Sequence, residues 1–420
     1  MNQIKALFAY LAIAVIGVPA ATPAFRPQAQ TPSRPAESKP AAPVVSIPFD
    51  LVGRHIILKV KINNSQPLSF VLDTGDKYAI VNLDRAKELG LKLHGEVRVG
   101  GAGSGDTHPG AYVREASFTI PGLPGFSQPV NLALPIGRLS SRMGQDFDGI
   151  IGSEFIKEFV VEIDYQARVI KLHDKKEFKY SGTGESIPVD LNVGGHGSGH
   201  PILEAEVTPI DGKPIRSKFV LDIGSSGALV LHSPFVAEHR LPGPNMKTIK
   251  AFGAGAGGNI AGQIGRVAEL KIGRFKINNP TAMFSSDKGG AFANEHLAGN
   301  IGAQITSKFR LFLDYGNNRI IFEPSAWFDE PFDRASVGLN LEAEGNDYRT
   351  FRVKGVLENS PASEAALQID DIITAIDGRP AADLTLSTIN GMFQKPVAYK
   401  LTIKRGEQTL NVTITPRRLV

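Results

Sequence analysis

The middle of this sequence contains an internal duplication, and that feature constrains the fold more than any other. FVLDTG at 70–75 recurs as FVLDIG at 219–224, and DGIIG recurs as AGNIG 150 residues later. SIPFDL and SIPVDL open the two copies, and all pairs keep their order at offsets of 140 to 150 residues. We therefore expect two copies of one fold, over 46–174 and 186–324, that pack together as a pseudo-twofold pair.

Within each copy the residue pattern favours β-structure. In the first copy, alternating residues at 55–62 and a polar turn precede an apolar strand, 68–72, that delivers Asp73 at its end. The second copy repeats this order, and its strand at 218–221 is followed by Asp222. The chain contains 44 Gly and 28 Pro, which favour turns, so only short helices are expected. We predict a mainly β fold built from two tandem β-barrel lobes.

The two aspartates stand where a buried strand leaves the core. A carboxylate in that position is poorly solvated unless another group pairs with it, and the following glycine lets another chain come close. If the copies pack about a twofold axis, Asp73 and Asp222 meet face to face. Two carboxylates that close share one proton, so one can act as a base towards water and the other as an acid towards a carbonyl group. Because the pair titrates as a unit, neither role is assigned to one residue.

These turns resemble those of the pepsin and retropepsin family of aspartic proteases. The resemblance rests on the two hydrophobic-Asp-x-Gly turns and on the Gly-containing segments downstream, and it covers about 280 residues. It implies two fused retropepsin-like lobes around one cleft, and an endopeptidase that activates water between Asp73 and Asp222 without metal or organic cofactor. Two Gly-rich loops, 100–110 and 253–262, correspond to the family's flap hairpin. The residues that would support the dyad are Thr74, Gly75, Ile223, Gly224 and Ser225.

Three positions depart from the family pattern. Ile223 lacks the hydroxyl that the family's threonine uses to brace the dyad, and Asp76 places a further acid near Asp73 that would raise its pKa. Asn300 replaces an apolar residue in the second downstream segment. The alternative is therefore that the lobes survive as a catalytically degenerate peptide-binding cleft. Under the protease interpretation, Asp73→Asn abolishes peptide cleavage at acid pH.

The residue pattern changes after the second copy. Residues 333–417 resemble a PDZ domain of the bacterial protease-associated kind, because they contain ENSPA at 358–362 and DDIITAIDG at 370–378. Such domains bind peptide carboxyl termini by adding a strand to a sheet edge. The alternative interpretation of residues 338–341, at the first turn of this module, is the start of an ordinary β-hairpin. The chain ends in Leu419-Val420, and one hypothesis places this apolar tail in the groove of a second molecule. The predicted carboxylate-binding loop consists of Gly338, Leu339, Asn340 and Leu341.

The amino-terminal residues have the pattern of a secretory signal peptide. Residues 1–24 contain Lys5, a 13-residue apolar run at 6–18 and small residues suited to cleavage. The alternative is an uncleaved anchor, although about 20 apolar residues are needed to span a bilayer. The segment 25–45 is rich in Pro and Ala, which predicts an extended linker. We expect an exported protein, periplasmic or secreted, with no transmembrane span in the mature chain.

Composition narrows the remaining function classes. The chain has no Cys, so disulfides, thiol catalysis and cysteine zinc sites are excluded, and a net charge of +4 without a basic stripe argues against nucleic acid. His196 and His200 lie on a Gly-rich loop that offers no preset metal geometry. We predict protease-like lobes at 46–180 and 181–325, a PDZ domain at 333–417, peptide or protein substrates and a monomeric protease core. The rivals are a binding protein that uses the same cleft and groove, and an envelope scaffold that uses neither.

Overall fold

The structure of the 420-residue chain is a computed structural model. The predicted signal peptide and linker, 1–24 and 25–45, lie outside the described residues except for Val15, Ile16 and Val45. His196 and parts of the two Gly-rich loops also lie outside them. Within the described part of the chain, no helix is long and apolar enough to cross a membrane. The described residues are 15–16, 45–104, 107–192, 199–250, 253–255, 257–332 and 336–420.

The first lobe is built on a ten-stranded sheet around the strand that leads to Asp73. Leu68–Leu72 is almost wholly buried, and it pairs antiparallel with His55–Ile62 on one side and parallel with Gly149–Ile151 on the other. Three short helices complete the lobe, Leu83–Glu88, Arg138–Met143 and Ser153–Ile156. The strands in sheet order are Gln128–Pro129, Ser117–Thr119, His55–Ile62, Leu68–Leu72, Gly149–Ile151, Ile80–Asn82, Leu132–Leu134, His108–Arg114 and Lys92–Val99, with Asp50–Val52 beside His55–Ile62.

The second lobe repeats this arrangement in a nine-stranded sheet. Ile215–Leu221 pairs antiparallel with Ile202–Thr208 and parallel with Gly299–Ile301. The helices are Ser233–Glu238 and Ala303–Thr306, with 3-10 turns at Ala291–Ala293 and Tyr315–Asn317. The strands in sheet order are Ile249–Lys250, Gly262–Arg266, Thr281–Ser285, Leu229–Leu231, Gly299–Ile301, Ile215–Leu221, Ile202–Thr208, Glu269–Ile272 and Phe275–Asn278. A separate three-stranded sheet has Gly253–Gly255 in the middle, paired with Val15–Ile16 on one side and with Gly258–Asn259 on the other.

A six-stranded sheet joins the lobes and contains their symmetry axis. At its centre Glu162 pairs with Phe312, which is its own counterpart 150 residues later, so the pseudo-twofold axis passes between these two residues. One continuous apolar core extends through both lobes. The duplication therefore folds as a twofold pair. The strands in order are Glu185–Pro188, Arg319–Pro324, Phe309–Asp314, Val160–Asp164, Val169–His173 and Val45–Pro48.

The carboxyl-terminal module has a sheet and an apolar core of its own. Its helices are Pro361–Glu364 and Leu386–Met392, with a 3-10 turn at Ala381–Asp383. The first of these begins with a capping box, in which Ser360 and Ser363 exchange side-chain and backbone hydrogen bonds. The mainly β fold class, with two lobes and a third module, is confirmed. The strands in order are Leu339–Glu344, Thr350–Val356, Ile372–Ile376, Tyr399–Arg405 and Gln408–Ile414, with Arg379–Pro380 beside Ile372–Ile376.

Candidate active site

The structure brings the two predicted aspartates together at the interface between the lobes. Each follows the central strand of its lobe, and each is completely buried. The backbone N–H of Asp73 donates to Ile151 O at 3.0 Å, and that of Asp222 donates to Ile301 O at 2.9 Å. The two downstream segments, 148–152 and 298–302, therefore stabilise the aspartate turns, because each provides the parallel strand that is hydrogen-bonded to the aspartate of its own lobe.

The glycines of the two turns make room for the carboxylate of the opposite lobe. A Cβ atom on Gly224 would lie 2.2 Å from Cγ of Asp73, a distance at which real atoms collide. A Cβ atom on Gly75 would lie 3.0 Å from both Asp73 Oδ1 and Asp222 Oδ1. These two oxygens are therefore separated by at most twice that distance. The close approach that the Asp-x-Gly pattern predicts is present in the structure.

Only one side of the expected threonine brace is formed. The Thr74 hydroxyl crosses to the second lobe, where it donates to Leu221 O at 2.5 Å and accepts from the backbone N–H of Ile223 at 3.0 Å. Ile223 is fully buried, and its side chain carries no hydroxyl with which to return the contact. Thr74 thus braces the second turn, and no hydroxyl at position 223 returns the contact.

The carboxylate of Asp222 has a partner that the sequence analysis did not assign. Asn300 Nδ2 donates to Asp222 Oδ2 at 2.7 Å, and Asn300 Oδ1 accepts from Nε2 of His232 at 2.8 Å. All three side chains are buried. The departure at Asn300 therefore supplies the dyad with a donor held in place by His232. A polar residue inside an apolar strand repeat was the available signal, because such a residue needs a buried partner.

Ser225 supports Asp222 through its backbone. Its N–H donates to Asp222 Oδ1 at 2.9 Å, whereas its hydroxyl has no hydrogen-bond partner among the described atoms. On the first lobe, the N–H of Gly75 donates to Asp73 Oδ1 at 2.6 Å. The two carboxylates are therefore held by similar backbone turns but differ in side-chain support.

Burial raises the pKa of both dyad aspartates. The pKa of Asp73 is raised to about 7, mainly by desolvation and against the hydrogen bonds it accepts. The pKa of Asp222 is raised well above its usual value, first by desolvation and then by the charge of Asp73. The pair consequently holds at least one proton throughout the neutral range, the state in which one carboxyl group is an acid and the other a base.

Asp76 is a third buried carboxyl group beside the dyad. Desolvation is the largest cause of its raised pKa, and the charge of Asp73 is the second. Its Oδ1 accepts from the N–H of Tyr78 at 3.1 Å. Both causes favour the neutral form of Asp76 when Asp73 is ionised.

Two buried histidines occupy symmetry-related positions against the opposite turns. His55 is the first residue of the strand that pairs with the central strand of the first lobe, and His200 lies just before the equivalent strand of the second lobe, in matching register. Burial lowers the pKa of each to about 4, and the backbones of Gly224 and Thr74, respectively, partly offset this effect. Both imidazoles are therefore neutral at pH 7. Among the described residues, no group of three or more potential metal ligands occurs.

The two Gly-rich loops meet across the lobes. The N–H of Gly257 donates to Ala102 O at 2.9 Å, and the Ser104 hydroxyl donates to Gly257 O at 3.1 Å. A Cβ atom on Gly255 would lie 2.4 Å from Ala102 O, so the backbones could not come this close with larger residues. Ala102 also packs into an apolar cluster of the second lobe that contains Phe292. The two loops form one connected structure, here called the loop bridge (residues 101–104 with 253–255 and 257).

Comparison with known proteins divides the chain in the same way. Residues 58–155 and 206–304 each match the family model described as aspartyl protease, and residues 328–404 match that of the PDZ domain. The two aspartyl protease matches contain Asp73 and Asp222, respectively. No curated protein matches the chain at a significant level.

Two solved structures have a local likeness to the chain. The photosystem II D1 C-terminal processing protease is 17% identical over 21% of this chain and 24% of its own length, with a TM-score of 0.20. The PDZ domain of HtrA3 bound to a phage-derived ligand (FGRWV) is 22% identical over 20% of this chain and 86% of its own, with a TM-score of 0.19. Neither TM-score bears on the fold of the whole chain.

Proposed function

We propose that this chain, which carries two tandem aspartyl protease domains and a C-terminal PDZ domain, is an aspartic endopeptidase. The observation that carries the proposal is the pair of buried aspartates, held face to face by turns whose glycines leave room for the opposite carboxylate. Two carboxyl groups with raised pKa values in one site are the arrangement that acid–base hydrolysis of an amide requires. No metal or organic cofactor is needed for this chemistry.

The proposed reaction uses both protonation states of the pair. The ionised carboxylate takes a proton from a water molecule, whose oxygen attacks the carbonyl carbon of the substrate. The neutral carboxyl group gives its proton to the carbonyl oxygen, so the tetrahedral intermediate carries no net charge. In the second step the protonated carboxyl group of the dyad gives its proton to the leaving nitrogen as the C–N bond breaks. A hydroxyl group of the intermediate passes its proton to the other carboxylate as the product carboxyl group forms, so the dyad of Asp73 and Asp222 returns to one shared proton.

The proposed working range is near neutral pH. Because burial raises the pKa of Asp73 to about 7, the dyad loses its first proton close to neutrality. The histidines His55, His200 and His232 are buried with pKa values of about 4, so acid destabilises the folded chain. Because of both effects, the proposed pH optimum for peptide cleavage is higher than the acid optimum that the resemblance implies.

The rival proposal is a binding protein whose dyad is inactive. The one-sided brace at Thr74 and the third buried carboxyl group, that of Asp76, favour it, because both depart from the symmetric arrangement of the protease family. On this proposal the cleft binds peptides with an affinity that does not depend on the dyad. A scaffold that uses neither the cleft nor the PDZ groove would show neither cleavage nor binding.

The deciding experiment compares the wild type with Asp73→Asn and Asp222→Asn on a fluorogenic peptide library between pH 4 and 9. We expect cleavage by the wild type to fall by at least a hundredfold in each variant, since removing an acid–base group costs about 10²–10⁴-fold. Asp84→Asn, an exposed change in the first lobe, is the matched control and keeps full activity. A wild type that binds library peptides but cleaves none would establish the binding protein instead.

We also propose export and recruitment. Residues 1–24 would direct the chain out of the cytoplasm, to the periplasm or beyond, and deleting them should leave the protein in the cytoplasmic fraction. The PDZ domain would recruit the carboxyl termini of substrates or partners through Gly338–Leu341. Gly338 supports this role, because its φ of 76° and its packing against Ser360 exclude a side chain at the start of the loop.

A further inference from the structure

A helix of the first lobe lies against the free edge of the PDZ sheet. Strand Leu339–Glu344 is at the edge, because it pairs with Thr350–Val356 and with no second strand among the described residues. Helix Leu386–Met392 packs beside the same strand, so the two elements border a groove. PDZ domains add a peptide strand at such an edge. Here the helix Arg138–Met143 lies against this strand.

Three contacts fix the segment 138–146 on the groove. Arg142 Nε lies 3.2 Å from Glu342 Oε1 on the edge strand, and the two side chains are only 18% and 19% exposed. Tyr348 OH, in the turn after that strand, donates to Asp146 Oδ1 at 3.1 Å. Gly144 packs so tightly on the first residue of the groove helix that a Cβ atom there would lie 2.6 Å from Leu386 Cβ. The segment thus touches the strand, the turn and the helix of the groove.

The other end of the same helix holds the loop bridge. Arg138 Nη2 donates to Gly255 O at 2.8 Å. The nearby Gly257 is hydrogen-bonded to Ala102 of the first lobe, so Arg138 binds the loop bridge at the point where the two lobes meet. A helix of six residues therefore connects the PDZ groove at its carboxyl end with the loop bridge at its amino end.

The PDZ domain is attached to the second lobe independently of this helix. Arg266 donates to Val420 O at 3.1 Å and to Phe332 O at 3.2 Å, which fixes both the tail and the linker before the domain. Lys308 donates to Phe328 O at 3.0 Å, and Leu419 is only 7% exposed. The tail is thus packed against its own chain, which argues against the hypothesis that it enters another molecule's groove. Release of the segment 138–146 would leave the domain in place.

We propose that residues 138–146 are an internal ligand of the PDZ groove, and that a peptide carboxyl terminus displaces them and releases the loop bridge. The proposal rests on the PDZ role given above. Displacement of Arg142 leaves Glu342 with an unpaired carboxylate, and displacement of Gly144 uncovers Leu386. The competing peptide therefore combines a free carboxylate, an apolar side chain for Leu386 and an Arg or Lys for Glu342. Binding at the groove in this way frees the loop bridge that joins the two lobes.

The test uses charge reversal in the full chain, on the Asp73→Asn background so that cleavage plays no part. Arg142→Glu should increase amide hydrogen exchange in strand 339–344 and in loop 253–255. It should also tighten binding of a hexapeptide pool, randomised at its last four positions and with free carboxyl termini, by about fivefold, the effect of removing one partly buried ion pair from the competing state. The same pool with amidated carboxyl termini should not bind. Arg114→Glu, an exposed change elsewhere on the first lobe, should alter none of these readings.

The double variant Arg142→Glu with Glu342→Arg restores the ion pair and should return exchange and affinity towards the wild type. This rescue separates loss of the contact from general unfolding. Unchanged exchange in strand 339–344 of the folded Arg142→Glu protein would overturn the internal ligand. Increased exchange there without any change in 253–255 would overturn the connection to the loop bridge. Neither result depends on whether the dyad hydrolyses peptides, so the two proposals fail separately.

Discussion

Asn300→Leu is the most informative change at the dyad. It removes the only side-chain amide that donates to Asp222, at 2.7 Å, among the described residues, and it keeps the number and branching of the side-chain heavy atoms. His232 loses its acceptor at the same time, but burial lowers its pKa to about 4 and it stays neutral. The variant therefore tests how much one hydrogen bond contributes to the charge state of the dyad.

The expected effect is an upward shift of the second pKa of the dyad. A hydrogen bond to a charged group contributes about 1.5–3 kcal/mol, and each pKa unit corresponds to about 1.4 kcal/mol. Because the charge of Asp73 raises the pKa of Asp222, Asp222 becomes charged only in the second ionisation of the pair, so the alkaline limb of the pH profile should move up by about one to two units. The acid limb reflects the ionisation of Asp73, whose pKa is about 7 and which accepts no hydrogen bond from Asn300, so it should stay in place.

The assay is the pH dependence of kcat/KM, with a carbon-13 NMR titration of the aspartate carboxyl groups as a measurement that needs no turnover. Ile150→Leu changes the matching position of the first lobe and is the apolar control, for which no shift is expected. A folded Asn300→Leu protein whose carboxyl titration moves by less than about 0.3 units would refute the role given to this hydrogen bond.

Two further predictions concern stability. Burial raises the folded-state pKa of Asp76, so the folded chain binds this proton more tightly than the unfolded chain does, and the free energy of unfolding falls as pH rises above about 4. Asp76→Asn removes this effect, so it should raise Tm at pH 7 and leave it unchanged at pH 3. The buried histidines His55, His200 and His232 have pKa values lowered to about 4, so stability should be lost as pH falls from about 6.5 to about 4, by up to about 4 kcal/mol per pH unit. Urea unfolding at several pH values in this range gives the slope of the unfolding free energy against pH. This slope should be about one third smaller in His55→Leu and unchanged in the exposed control His296→Leu. A slope that is the same in both variants would contradict the assignment of buried neutral histidines.

The sequence predicted the architecture because its signals are local or repeated. Six consecutive residues encode the end of a strand followed by Asp-x-Gly. The repeat of this segment at a nearly constant offset predicts two similar folds. The axis between Glu162 and Phe312 follows from that repeat, since equal copies pack most simply about a twofold. The missing hydroxyl at Ile223 could likewise be read directly, and the structure shows the one-sided brace that it leaves.

The electrostatics of the site could be predicted only in part. Asn300 was visible as a polar residue in an apolar repeat, but its value as a donor depends on His232, which lies 68 positions away. Asp76 was recognised as an extra acid, yet it is its complete burial that raises its own pKa most. Desolvation depends on how much protein surrounds a group, and no short stretch of sequence contains that quantity.

By itself, the sequence determined two like lobes, a pair of aspartates at strand ends and a third module of PDZ type. Only the tertiary structure decided that His55 and His200 lie against the opposite turns, and that the segment 138–146 connects the loop bridge with the PDZ groove. The division has a physical cause. Backbone conformation and strand pattern are set by neighbouring residues, whereas charge state and contact between domains depend on which distant surfaces exclude water from each other.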